Sequence, residues 1–144
     1  MITQTFEMTQ IDPNEAYQMV KDDHQAFVVL AHLSLAGSRV LRSTYRHVVF
    51  SESVFYSTEF QGVKFENCIF EGCDFSFVHI RNCQFINCSF VDCKWKASSS
   101  TISVYNNCLM DQTLSAMVKA NDNGVITAER DHTTDIYIQN LLAA

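Results

Sequence analysis

What this 144-residue sequence lacks narrows its function first. It has no long apolar run: the longest, around Phe27 to Ala31, is far too short to span a bilayer. Its opening, MITQTFEMTQIDPNE, has neither a basic n-region nor an apolar h-region and does not read as a secretory signal. A cytoplasmic protein with reduced thiols and no membrane partner is the expectation. Basic charge is scarce too. The net charge of −6 divides into −4 for residues 1–31, +1 for residues 32–97 and −3 for residues 98–144. Without a stripe of cations to neutralise phosphates, direct nucleic-acid binding is not expected. No Ser/His/Asp order, glycine-rich phosphate loop or paired-carboxylate signature occurs, and the five histidines (His24, His32, His47, His79, His132) are scattered. Neither an enzyme nor a cofactor site is expected.

What is there is a period. A large residue recurs at every fifth position: Leu35, Val40, Tyr45, Phe50, Phe55, Phe60, Phe65, Phe70, Phe75, Ile80, Phe85, Phe90 and Trp95. Two residues before each comes, in most units, a smaller one: Leu33, Ser38, Ser43, Val48, Ser53, Thr58, Val63, Cys68, Cys73, Val78, Cys83, Cys88 and Cys93. After a weak unit at Ser98 and Ser100, the register returns at Ser103/Tyr105 and Cys108/Met110. A helix cannot serve a period of five, because the apolar positions would wander around its surface. Two inward residues separated by two match a strand, whose side chains alternate. The chain must then turn a corner to bring the next pair inward. Gly62, Asn67, Gly72, Asn82, Asn87, Asp92 and Asn107 stand at those corners, where a positive φ suits glycine and asparagine.

This sequence resembles the pentapeptide-repeat family, whose loose pattern is a small residue, a polar one, Leu or Phe, and two variable residues. The likeness covers residues 32–97 and extends through 98–112. This copy prefers Phe to Leu at the centre and uses Cys, Ser and Val where Ala is usual. The resemblance implies an all-β fold, a right-handed quadrilateral β-helix with four pentapeptides per coil. Residues twenty apart then stack. Phe50, Phe70 and Phe90 form one ladder; Tyr45, Phe65, Phe85 and Tyr105 a second; Phe55, Phe75 and Trp95 a third. Cys68, Cys73, Cys83, Cys88 and Cys93 become small inward rungs. Structural zinc sites use closely spaced Cys pairs, and reactive thiolates need an accessible, electropositive setting; neither description fits inward rungs. Stacked pairs such as Cys68/Cys88 or Cys73/Cys93 would also sit slightly too far apart for a disulfide.

The ends read as caps. Residues 1–31 form an N-terminal capping segment in which Asp12 (N-cap), Pro13 and Glu15 open a short helix, with Ala16, Met19 and Val20 inward. Residues 32–112 are the repeat. In residues 113–144, a helix following Asp111 carries Leu114, Met117 and Val118 on one face, and TTDIYIQNLLAA offers a second. One would cap the last coil, and the other would cap it or join a homodimer, as C-terminal elements do in several family members. NDNGVITAE, at 121–129, places Asn121, Asn123 and Gly124 at calcium-loop offsets. Lys119 and Arg130 fall where carboxylates are required, so a turn is expected instead.

Function then falls to the surface. Val49, Ile69, Val91 and Leu109 point outward on one face, with Glu52, Glu71 and Asp92 beside them, Ile86 near the corner, and Val54 and Phe77 on the next face. Such a stacked row reads as a protein-binding face or as a face covered by a terminal segment of the same chain. The expected function is a non-catalytic adaptor, immunity or scaffold module with an unidentified protein partner. A second reading comes from a branch of the family that mimics duplex DNA, binds gyrase and protects against quinolones or gyrase poisons. Its Cys-x-Phe repeats look like those here, but mimicry of DNA needs a strongly negative rod.

Overall fold

The computed structural model describes residues 2–3, 11–12, 15–121 and 124–129. It is a parallel β-solenoid of about five coils with four faces. In chain order, face A stacks the strands Met19–Lys21, Arg39–Leu41, Glu59–Gln61, His79–Arg81 and Ser99–Thr101. Face B stacks His24–Ala26, Thr44–Arg46, Lys64–Glu66, Gln84–Ile86, Ser103–Cys108 and Gly124–Glu129. Face C holds Ile2–Thr3, Val28–Ala31, Val49–Ser51, Ile69–Glu71 and Ser89–Val91. Face D is narrower, a column of single bridges through Ser34, Val54, Asp74 and Lys94. Neighbours pair twenty residues apart, as in Phe50↔Phe70↔Phe90. Adding five residues moves the chain one face onward, and twenty moves it one coil up.

The corners explain why the unit is five residues. Every fifth residue from Tyr17 to Asn107 has a positive φ, sixteen of them non-glycine and three of them Gly37, Gly62 and Gly72. All seven corner residues expected from the sequence are among them. From Tyr17 to Asn87, each left-handed residue turns the chain while its N–H donates to the coil above, as from Asn67 to Ile86 O at 2.8 Å. For an ordinary L-residue this conformation costs roughly 1–2 kcal/mol, and β-branching makes it worse. Ile102, at φ 52 and half exposed, is the least suited occupant. Ile102→Asn is therefore expected to raise stability by about 1 kcal/mol, read as a higher urea midpoint with an unchanged slope. A lower midpoint would mean that Ile102 packs more than it strains.

The core is the expected set of ladders. Phe50, Phe70 and Phe90 stack face to face at 5.0 and 4.9 Å. Tyr45, Phe65, Phe85 and Tyr105 follow at 5.5, 4.8 and 4.7 Å, and Phe55, Phe75 and Trp95 at 5.0 and 4.4 Å. Phe60 joins Val40 and Ile80 on the fourth face. The ladders meet edge-on at the corners, as Phe65 does Phe70 at 5.2 Å and 70°. The unit at Ser98/Ser100 is no interruption: Ser100 is fully buried in register with Ile80.

Two expectations are corrected at the ends. Residues 15–21 are not a helix. Met19–Lys21 is already a strand of face A, so the solenoid begins before residue 32. Val20 points inward as expected, but Met19 and Ala16 are exposed. The Gln18 side chain closes the preceding loop by donating to Asp12 O and Glu15 O at 2.8 and 2.7 Å and accepting from Asp12 N. Pro13 lies outside the described residues. Second, Gly124–Glu129 is not a turn but a strand paired parallel to Ser103–Cys108. The solenoid thus runs past residue 112.

The helix Gln112–Ala120 forms as expected, with the Asp111 carboxylate accepting from Leu114 N at 2.8 Å. It buries Leu114 and Val118 on the main core and touches the strands Ser99–Thr101 and Gly124–Glu129. It closes the end of the stack. Gly124 permits the close approach: a Cβ there would stand 2.8 Å from Val118 O and 3.1 Å from Ser100 O. The expected second helix, TTDIYIQNLLAA, lies outside the described residues.

Candidate functional site

The inward rungs come first, because cysteine carries the most chemistry in this sequence. Cys68, Cys73, Cys83, Cys88 and Cys108 are buried, Cys93 is half-buried, and all six are free thiols. Each sulfur lies within hydrogen-bonding distance of two carbonyls, one two residues back and one in the coil below. Cys68 Sγ donates to Tyr45 O at 3.2 Å or Glu66 O at 3.4 Å, and Cys83 Sγ to Arg81 O at 3.3 Å or Phe60 O at 3.5 Å. Serine does the same work elsewhere and adds an acceptor: Ser43 Oγ takes the Asp23 N–H at 3.0 Å and donates to Leu41 O. Burial pushes the Cys83 thiol up to about 11, away from the thiolate that nucleophilic or metal chemistry requires. These rungs tie coils together.

One polar cluster escaped the sequence reading. At the foot of the face B ladder, Asp23 and Gln25 stand where apolar residues are expected, and both are buried. The Asp23 carboxylate accepts from Tyr45 Oη at 2.9 Å and from Gln25 Nε2 at 2.9 Å. Burial first, then the Asp23 charge, raises the Tyr45 phenol well above its ordinary range. The cluster continues the coil in polar form.

The outward row was expected either as a docking face or as a face covered by a terminal segment of the same chain, and three of its four residues are buried. Val49, Val91 and Leu109 are 7%, 6% and 4% exposed. Ile69 is half-buried against Val91 and Leu109 in a small cluster separate from the main core. Glu71 is half-buried and takes a hydrogen bond from Ser51 Oγ at 3.2 Å, while Glu52 and Asp92 at the corner are exposed. Ile86 belongs to face B and is half-buried. The row is real but covered, so it offers no open apolar surface.

The open apolar surface lies elsewhere. Of seven large hydrophobic residues exposed among the described ones, Tyr17, Met19, Val54 and Tyr56 stand on face D or along its corner with face A. Phe77, half-buried at that corner, meets Tyr56 edge-on at 5.1 Å, and Lys96 Nζ lies 6.0 Å from the Phe77 ring centroid. Phe55–Thr58 and Phe75–Val78 are hydrogen-bonded turns with positive φ at Ser57 and Phe77, matching the type II pattern. The corner backbone is also tied between coils, Phe77 N to Lys96 O at 2.7 Å and Gly37 N to Tyr56 O at 2.8 Å. Below them, the Tyr17 ring lies so close over Gly37 that a Cβ there would come within 2.3 Å of it. The result is a ridge of aromatic rings on a fixed backbone. Gly37 and Phe77 stand at one corner by their spacing of forty in the sequence, and Tyr17 joins them because the solenoid begins before residue 32.

Cations are distributed around the solenoid: Arg39 and Arg81 on face A, Arg46 and Lys64 on face B, Lys94 and Lys96 on face D. Arg39 meets Glu59 at 3.3 Å, Lys64 meets Glu66 at 2.9 Å and Arg42 meets Asp22 at 3.4 Å. His79, outward as expected, shares a 2.7 Å hydrogen bond with Ser99. No helix among the described residues is long and apolar enough to cross a membrane.

Comparison with known proteins agrees with this architecture. Residues 36–94 match the family model described as pentapeptide repeats, nine copies. No match was found among curated proteins. Among solved structures, the pentapeptide repeat protein Rfr23 from the cyanobacterium Cyanothece 51142 is similar at 10% identity and a TM-score of 0.45, over 54% of this chain and 59% of that one. A pentapeptide repeat protein from the Arabidopsis thaliana thylakoid lumen is similar at 14% identity and a TM-score of 0.39, over 73% and 81%. A trypsin-treated form of QnrB1, a plasmid-mediated fluoroquinolone resistance protein, is similar at 14% identity and a TM-score of 0.36, over 67% and 64%. The chain spans less than two thirds of the first and third of these. With nine matched repeats over residues 36–94 and a left-handed corner at every fifth residue from 17 to 107, this is a solenoid of pentapeptide repeats.

Proposed function

We propose that this protein is a non-catalytic protein–protein interaction module, and that the corner between faces D and A is the surface it uses. The observation that carries this reading is the concentration of rings on one rigid edge, Tyr17 and Tyr56 exposed and Phe77 half-buried between them and Lys96. The interior is filled by side-chain ladders, and five of the six thiols that might have supplied chemistry are buried among them. Contiguous exposed apolar surface on a soluble fold marks interaction sites. Aromatic side chains supply much of the binding energy at such sites.

The gyrase reading has less support. Faces A, B and D each carry cations, whereas imitation of duplex DNA calls for regularly spaced negative charge. About five coils at roughly 4.8 Å rise only about 24 Å. A supercoiling assay with purified gyrase and a quinolone separates the two readings: neither inhibition nor protection is expected. Protection that survives Tyr56→Ser would overturn the interaction ridge as the functional surface and reinstate the alternative.

A further inference from the structure

We propose that the ridge docks an extended, acidic segment of a partner protein, about six residues long, with an aromatic or branched apolar side chain beside its carboxylates. This rests on the interaction reading above and gives the partner its chemistry. Strain points to the place. Tyr17 and Phe77 hold bulky side chains at φ 58 and 59, while other coils turn the same corner with Gly37, Ser57 and Ala97. The fold does not need rings there. Each sits in a left-handed conformation that disfavours a bulky L-residue, and observed strain of this kind is a pointer to function.

Charge selects the sign of the ligand. Two acids beside the ridge are engaged: Glu59 with Arg39 at 3.3 Å, and Asp74, whose Oδ1 accepts from Ser76 N at 2.9 Å. Lys94 stands directly above Asp74 in the bridge column, and Lys96 lies over Phe77; neither forms an ion pair among the described residues. Their ammonium groups are set to meet carboxylates next to the rings. These two lysines would draw such a segment to this edge although the net charge of the chain is −6.

Size selects the form. From Tyr17 to Lys96 the ridge climbs four coil steps, about 19 Å at roughly 4.8 Å each, which equals about six residues of extended chain. An edge this narrow falls far short of the roughly 800 Å² per partner that a stable interface between globular surfaces buries. A second copy of the chain is therefore a poor occupant. Because the corner N–H groups already bond to the next coil, recognition runs through side chains rather than by adding a strand.

A selection from a phage-displayed library of random heptapeptides on the full chain tests this. The enriched peptides should combine Asp or Glu with Phe, Tyr, Trp or Leu. Their affinity should fall at least tenfold for Tyr56→Ser and for Lys96→Glu, and weaken with salt. Phe77→Asn should cost a similar factor while keeping the fold, since asparagine suits the left-handed corner. Val125→Ser, on exposed face B, should change nothing. Enrichment of uncharged or basic peptides, or of acidic ones that bind Tyr56→Ser as tightly as wild type, would overturn the inference. The second of those results would leave an interaction module that uses another surface. No enrichment at all would count against the ridge as a peptide site.

Discussion

Phe70→Ala is expected to unfold or insolubilise the protein. Phe70 sits at the middle of the face C ladder, stacked on Phe50 at 5.0 Å and 4° and under Phe90 at 4.9 Å and 5°. It also meets Phe65 and Phe75 edge-on at 5.2 and 5.5 Å. Truncating a buried Phe costs roughly 3–5 kcal/mol, and each aromatic pair contributes about 0.5–1.5 kcal/mol beyond area burial. A domain of this size holds only about 5–15 kcal/mol in total. A solenoid has a particular weakness here, because each coil contacts only its neighbours and the cavity interrupts the stack. Phe70→Leu is the control: Leu30 occupies the same ladder one coil below Phe50, and the swap should cost less than about 2 kcal/mol. The comparison is soluble yield and urea midpoint; a Phe70→Ala protein with an unchanged melting temperature would contradict the ladder.

The ladders were legible because their information is local and repeated. A small and a large inward residue, then a corner, recur every five positions, and each copy votes for the same register. The first coil was not legible for the opposite reason. Its inward positions hold polar letters: Gln18 bonds to Asp12, Glu15 and Ser38, and Asp23 to Gln25, Ser43 and Tyr45, through hydrogen bonds visible only once the coil is closed. At the same time Asp12, Pro13 and Glu15 imitate a helix start, although the Gln18 side chain takes Asp12 and Glu15 into a loop. Gly124–Glu129 was hidden similarly. A strand that pairs onto an existing sheet needs little periodicity of its own, and NDNG reads as a turn.

The candidate site divides along the same line. Which residues point outward follows from the period, so Val49, Ile69, Val91 and Leu109 were correctly placed on one face. Whether an outward residue meets solvent depends on what the rest of the chain does, and no pentapeptide encodes that. The D/A corner shows the converse case: Tyr17 lies outside the residues recognised as repeats, so its alignment with Gly37, Tyr56 and Phe77 emerged only when the solenoid was seen to begin earlier.

Above pH 9 the fold should lose stability steeply, and the rungs are the reason. Burial raises the Cys83 thiol from 9.0 to about 11, and the same desolvation pushes Cys88 well up. Cys93 rises through its contact with Cys73 and then through burial. Tyr45 and Tyr105 are also raised, burial leading in both. Below pH 9 the thiols are protonated in folded and unfolded chains alike, and their contribution to stability is whole. As pH climbs past 9, the unfolded chain releases thiol protons that the folded one retains, so the unfolded state gains. The loss continues until the folded thiol itself ionises, near 11 for Cys83. One such group contributes about 1.4 kcal/mol per pH unit, on the order of 2–3 kcal/mol across its window. Cys88 acts with the same sign, and the tyrosines join above about pH 10. Urea midpoints at about pH 8 and about pH 10 measure the slope. Cys83→Ser should flatten it by roughly 1.4 kcal/mol per unit while keeping the rung, because serine already serves at Ser43, Ser53 and Ser103 by donating to the carbonyl two residues back. A Cys83→Ser protein that keeps the wild-type slope would show that the rung thiols do not set the alkaline limit.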